Sequence, residues 1–190
     1  MGQLLPARRQ KLWLVAALGI LLFSAVCILV FVHVSKKPHA PAAPVVSTCK
    51  PLAPDMRRIG ERYGLQFDVP TRDFTVHEGT SDAAPIVHGF GISAKNSKSL
   101  LEISFGRPLD NMAVEPVRIF SSHVEKRSIF DDKGLAIGED SWGYLSSGER
   151  WRKVQFRGMV GAKYSLVNES EAELFDRVIN SACVSAAPAP

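Results

Sequence analysis

The side chains best suited to chemistry are few and lie far apart in the chain. His88, His123, Asp131 and Asp132 are the residues that could supply acid–base groups for a small hydrolase. Glu139-Asp140 stands on the other arm of the hairpin that Asp131-Asp132 opens, so these carboxylates could meet across it. Paired carboxylates can move protons or bind calcium, but Asp131-Asp132-Lys133-Gly134 does not fit a calcium loop and reads as a plain turn. His77 and His88 lack a partner at metal-ligand spacing. There is no Gly-x-Ser-x-Gly nucleophile elbow and no phosphate loop. Gly89-Phe90-Gly91 lacks the third glycine and the following helix of a dinucleotide site. The sequence therefore predicts no catalytic, cofactor or metal site, and a hydrolase built on those four residues stands as the alternative.

Two other groups carry a chemical expectation. Cys27 falls within a long apolar run, which leaves Cys49 and Cys183 bracketing the rest of the chain. An even pair placed so, outside the cytoplasm, predicts a disulfide. Trp142, Tyr144 and Trp151 form a candidate contact patch, with cross-strand packing in the core as the competing reading. Asn168-Glu169-Ser170 is a glycosylation sequon, relevant only along a eukaryotic secretory route.

The apolar run covers residues 12–34 and carries no charged side chain. As a helix it would be about 35 Å long, enough to cross about 30 Å of hydrocarbon. Arg8, Arg9 and Lys11 precede it, and Lys36 and Lys37 follow. With the cysteine pair beyond, this predicts a single-pass anchor, N-terminus cytoplasmic and domain extracytoplasmic. Ala40-Pro41-Ala42 keeps signal-peptide cleavage open. The net charge of +4 belongs to this segment. The five flanking cations removed, 18 basic residues face 19 acidic ones, too balanced for a nucleic-acid surface. Short basic runs such as Arg150-Trp151-Arg152-Lys153 are expected on solvated faces.

The elements that must position these residues follow from patterning. Residues 1–11 form a basic tail, 12–34 the anchor, 35–48 a Pro/Ala-rich linker, 49–184 the domain and 185–190 a disordered tail. A short helix is expected over 51–64, with Met56, Ile59 and Tyr63 on one face. Strands follow over 65–69, 74–77, 86–94 and 100–105. Residues 117–130 fit a helical turn or a strand. Hairpins then carry strands over 135–145, 151–157 and 162–167. Ser170 with Glu173 fits a capping box, opening a helix whose apolar stripe runs from Leu174 to Cys183. The sum is an α+β fold: a transmembrane helix, then a mainly antiparallel sheet with helices packed on it.

The strand opening Leu65-Gln66-Phe67-Asp68-Val69-Pro70, the hairpin run around Trp142-Gly143-Tyr144, and the strand–turn–helix ending over 162–183 resemble the PsbP-like group of small αβα sandwiches. The likeness is one of element order over 65–183. It implies a non-catalytic accessory role beside a membrane complex, and it assigns no residue. The expectation is thus a single-pass, non-enzymatic extracytoplasmic domain that contacts the membrane through 12–34 and binds an unidentified partner protein.

Overall fold

The computed structural model describes residues 40–81, 87–95, 97–106, 123–157 and 160–185. The basic tail and the apolar run 12–34 lie outside the described residues, as do 186–190. Among the described residues no helix is long and apolar enough to cross a membrane. The chain divides after Ala40, and the fold described below belongs to the second unit, Pro41–Pro190.

Among the described residues eleven strands make one sheet: β1 Val45–Thr48, β2 Met56–Ile59, β3 Leu65–Pro70, β4 Phe74–Ser81, β5 Val87–Ala94, β6 Leu100–Phe105, β7 His123–Asp131, β8 Ala136–Tyr144, β9 Arg150–Phe156, β10 Val160–Val167 and β11 Cys183–Val184. One α-helix, α1 Glu169–Asn180, separates β10 from β11. The spatial order is β2-β3-β11-β1-β7-β8-β9-β10-β6-β5-β4. The expected α+β fold, with a transmembrane helix and several helices on a mainly antiparallel sheet, is thereby corrected. The described chain is one large curled mixed sheet with a single α-helix. It is mixed because β1 runs parallel to both β11 and β7. The αβα layering of the PsbP-like group is not found among the described residues.

The helix expected over 51–64 is also corrected. Arg57 and Arg58 pair in register with Val69 and Asp68 of β3, and only a 3-10 turn, Glu61–Tyr63, follows. Gly60 is the reason. Its φ of +85° belongs to the left-handed region, and a Cβ there would stand 2.6 Å from the Leu65 carbonyl oxygen and 2.7 Å from Phe105 Cζ. The chain must turn sharply at that point, which a helix cannot do. Val45–Thr48, assigned to the linker by its neighbours' composition, is a strand, as its two β-branched valines allow. The 117–130 ambiguity resolves as strand from His123 onward.

Curling brings distant strands together. Phe67 of β3 meets Phe105 of β6 and Phe156 of β9 at ring separations of 6.4 and 6.0 Å. Tyr63 stacks on Phe105 at 4.4 Å. The inner face of the curl is filled by α1, which packs on β3, β9 and β10. Ala172, Phe175, Val178 and Ile179 are buried on that side, and Phe175 lies against Phe74 and Tyr164. Full burial of an aromatic side chain of this kind contributes about 2–3 kcal/mol. Asn168, not Ser170, caps the helix: its Oδ1 accepts from the Glu171 N–H at 3.0 Å. Asn is as good a cap as Ser, and starting two residues earlier lets Glu169 join the helix. Its C-terminus is tied to β3, where Asp68 N–H donates to Ser181 Oγ at 2.8 Å. The Cys49–Cys183 disulfide closes the sheet where β11 meets the end of β1.

Candidate binding site

Alternation along β9 puts Arg150, Arg152, Val154 and Phe156 on the inner face, and all four are buried. Two guanidinium groups therefore enter the core beside α1. Their counter-charges come from different elements. Arg152 donates to Asp140 of β8 through Nε at 2.9 Å, and to Asp176 of α1 through Nη1 at 2.7 Å. Arg150 donates to Asp176 Oδ2, to Glu169 at 2.8 Å and to the Tyr164 hydroxyl at 2.9 Å. Arg127 of β7 closes the group, donating to Asp140 at 2.6 Å while lying 4.5 Å over the Trp142 ring.

Burial alone would lower the Arg152 pKa. Hydrogen bonds and charge from Asp140, then Asp176, outweigh it and hold the group above its usual value. Burial, with the charge of Asp176, pushes the Tyr164 hydroxyl well above the ordinary phenol range, so it stays a neutral donor to Asp176 at 2.9 Å. Three guanidinium groups thus face three carboxylates with their hydrogen bonds turned inward. This is a structural tie between sheet and helix, with its charges satisfied as buried ions require. It even reaches the linker: Arg152 Nη2 donates to the Ala42 carbonyl at 3.1 Å.

The opposite face of the sheet is different. In-register pairing lines up Gly79, Gly89, Ser104 and Gly161 across β4, β5, β6 and β10. The adjacent row reads His77, Gly91, Glu102 and Lys163. Where the glycines lack side chains, a hollow of about 360 Å³ opens between β4, β5 and β6. Glu102 pairs with Lys163 at 3.2 Å on its rim. Beside it, β4 is the last strand of the sheet among the described residues. From His77 to Thr80 its residues are exposed.

The residues expected to do chemistry do not converge. His88 stacks against Tyr63, ring centroids 5.3 Å apart. Asp131 Oδ1 accepts from the Lys133 and Leu135 N–H groups at 3.0 and 2.7 Å, which makes it a turn residue. Asp132 is exposed in the same turn, and His123 begins β7 opposite Tyr144. No group of three His, Cys, Asp or Glu side chains that could hold a metal occurs among the described residues. Trp142 and Tyr144 face the core from β8, while Trp151 lies on the other face of β9; all three are buried. They do not make one exposed patch. Cys49 and Cys183 are joined.

Sequence reasoning missed the buried charges, having placed Arg150-Trp151-Arg152-Lys153 on a solvated face. The signal was available. Val154 and Phe156 are the apolar residues that alternate along this strand, and Arg150 and Arg152 share their parity. Asp176 falls four residues after Ala172 and three before Ile179, inside the apolar stripe of the helix. The glycine row could not be found from one strand at a time, since it exists only in the cross-strand register. Compared with protein-family models, curated proteins and solved structures, the chain matches none.

Proposed function

We propose that the chain is a membrane-tethered, non-enzymatic domain held outside the cytoplasm, and that it binds a partner protein by taking up an extended segment of that partner along β4. The observation that carries this reading is the contrast between the two edges of the sheet. Natural edges are kept short or charged, because a free row of N–H and C=O groups templates further pairing. The β2 edge is protected in that way: four residues, with Arg57 and Arg58 on it and Arg58 bound to Asp68 at 2.7 Å. The β4 edge, FTVHEGTS, is eight residues long and has neither lysine nor proline. It pairs with β5 along its whole length, and among the described residues no strand pairs with its other side. Main-chain pairing of a partner strand to such an edge is an established mode of peptide recognition.

The tether is supported by the uncharged run at 12–34 and its flanking cations. The extracytoplasmic side is supported by the disulfide, which persists in oxidising compartments. The competing hydrolase loses its support from geometry, because His88 and Asp131 are held by Tyr63 and by turn N–H groups.

The test is a pair of edge charges, Thr75→Lys with Thr80→Lys, in the full chain. Both threonines are exposed, so the fold should melt within about 2 °C of wild type. On native gels of solubilised membranes, the wild-type chain should run in a complex that the double variant does not enter. A complex of unchanged size and amount in the double variant would refute the reading.

A further inference from the structure

Apolar side chains gather on the surface where β1 meets the β7–β8 hairpin. Val45 pairs in register with Phe130, and Phe130 with Ala136, so these three lie side by side on one face of the sheet. Val46, the next residue of β1, is buried on the opposite face. Leu135 ends the hairpin turn, its carbonyl accepting from the Asp131 N–H at 3.0 Å. Past the strand ends, Val46, Ile137 and Val184 border a hollow of about 230 Å³. Val45, Phe130, Leu135 and Val184 are each between 40% and 59% exposed. Half of the eight large apolar residues left exposed among the described residues thus stand in this one region. A grouping of that kind marks an interaction surface. Two exposed cations accompany it, Lys133 in the turn and Arg157 beside the hollow. Asp131 and Asp132 balance their charge, so the region offers an ionic partner no net field.

What covers the region follows from the chain that leads into it. Pro41 and Pro44 are buried, and the Ala42 carbonyl accepts from Arg152, so the chain belongs to the domain from Pro41 onward. Only residues 35–40 separate that point from the apolar run 12–34. Fully extended, such a segment spans about 20 Å. On the anchor reading of 12–34, on which this inference rests, the bilayer is the surface always within reach. A short tether raises its effective concentration, so a patch too small to hold a free protein on lipid suffices here. We propose that the domain docks on the bilayer that anchors it, with Val45, Phe130 and Leu135 inserted between the lipid headgroups and Lys133 and Arg157 on their phosphates. Apolar burial supplies the attraction, and the cations meet the headgroup layer, as for other interfacial segments. The surface uses β1, β7 and β8 and leaves β4 out.

The test uses the full chain in vesicles of phosphatidylcholine and phosphatidylglycerol that carry a photoactivatable phospholipid, its diazirine high on the acyl chain. Adducts are mapped by peptide mass spectrometry. Residues 12–34 and 130–135 should both be labelled. Leu166 is the control: it is 51% exposed and stands at the far end of β10 from Val160, which lines the hollow. It should stay unlabelled. Labelling over 130–135 should fall about tenfold in the double variant Phe130→Ser with Leu135→Ser. Leu135→Ser alone, with a smaller fall, serves if the double variant does not fold. Label on 12–34 with none on 130–135, or equal label at Leu166, overturns the docking and leaves the anchor standing. No label on 12–34 overturns the anchor reading and the docking with it. Undiminished labelling in the folded variants overturns the insertion of these side chains.

Discussion

Arg152 on β9 donates to Asp176 on α1 at 2.7 Å, and its side chain is wholly buried. One guanidinium group thereby joins the inner face of the sheet to the helix that fills the curl. Asp176 also receives Arg150 and the Tyr164 hydroxyl, so its removal takes a partner from two buried cations at once, leaving Arg152 with Asp140 and Arg150 with the half-exposed Glu169. Taking away one partner of a buried pair costs about 3–5 kcal/mol. Asp176→Ala should lower the unfolding free energy in urea by that amount. Replacing Arg150→Met, Arg152→Met and Asp176→Leu together should cost less than the single change, because the two buried cations leave with their shared partner and Asp140 keeps Arg127.

A second prediction concerns pH. Glu171, in the first turn of α1, accepts from the Ser97 hydroxyl and from Ser99 Oγ at 2.7 Å. These bonds, the Ser97 one first, hold its carboxyl below the ordinary Glu range. A carboxylate whose folded-state pKa is lowered stabilises the fold above the unfolded value, about 4.3, and loses that contribution as pH falls through the lowered value. Glu171→Gln should therefore cost about 1 kcal/mol at pH 7, the group being only partly buried. The difference from wild type should shrink below about pH 4. Urea titrations at a series of pH values measure it.

The disulfide gives a third prediction. Cys49 and Cys183 are 134 residues apart, and closing a loop of that length contributes at most about 5 kcal/mol. The chain with both cysteines changed to serine should unfold at lower denaturant by an amount up to that limit. Unreduced wild type should run faster on a gel than reduced protein, with neither thiol open to alkylation. Equal mobility and free alkylation of both would refute the staple.

Much of this architecture was legible in the sequence where a local pattern decides it. The alternation of Leu101, Ile103 and Phe105, the turn at Asp131–Gly134 and the amphipathic stripe around Phe175 all gave elements found in the fold. The cysteine pair was legible by elimination. What failed depended on distant partners. Met56, Ile59 and Tyr63 have helical spacing, yet pairing with β3 and the left-handed turn at Gly60 make that stretch strand and turn. Val45–Thr48 has a Pro/Ala-rich neighbourhood, and only parallel pairing with β7 and β11 makes it a strand. The site was less legible still. Gly79, Gly89 and Ser104 are unremarkable singly and become a hollow only when register sets them side by side.

The account rests most heavily on β4 being an edge that accepts a partner strand. The direct measurement is photocrosslinking in intact cells from a reactive residue placed at Thr80, on that edge, against one placed at Glu173, exposed on α1. Thr80 should yield one discrete adduct whose cross-linked peptide maps to an extended segment of the partner, and whose yield falls when Thr75 carries lysine. Glu173 should yield none. No adduct at Thr80, or the same adducts from both positions, would contradict the account.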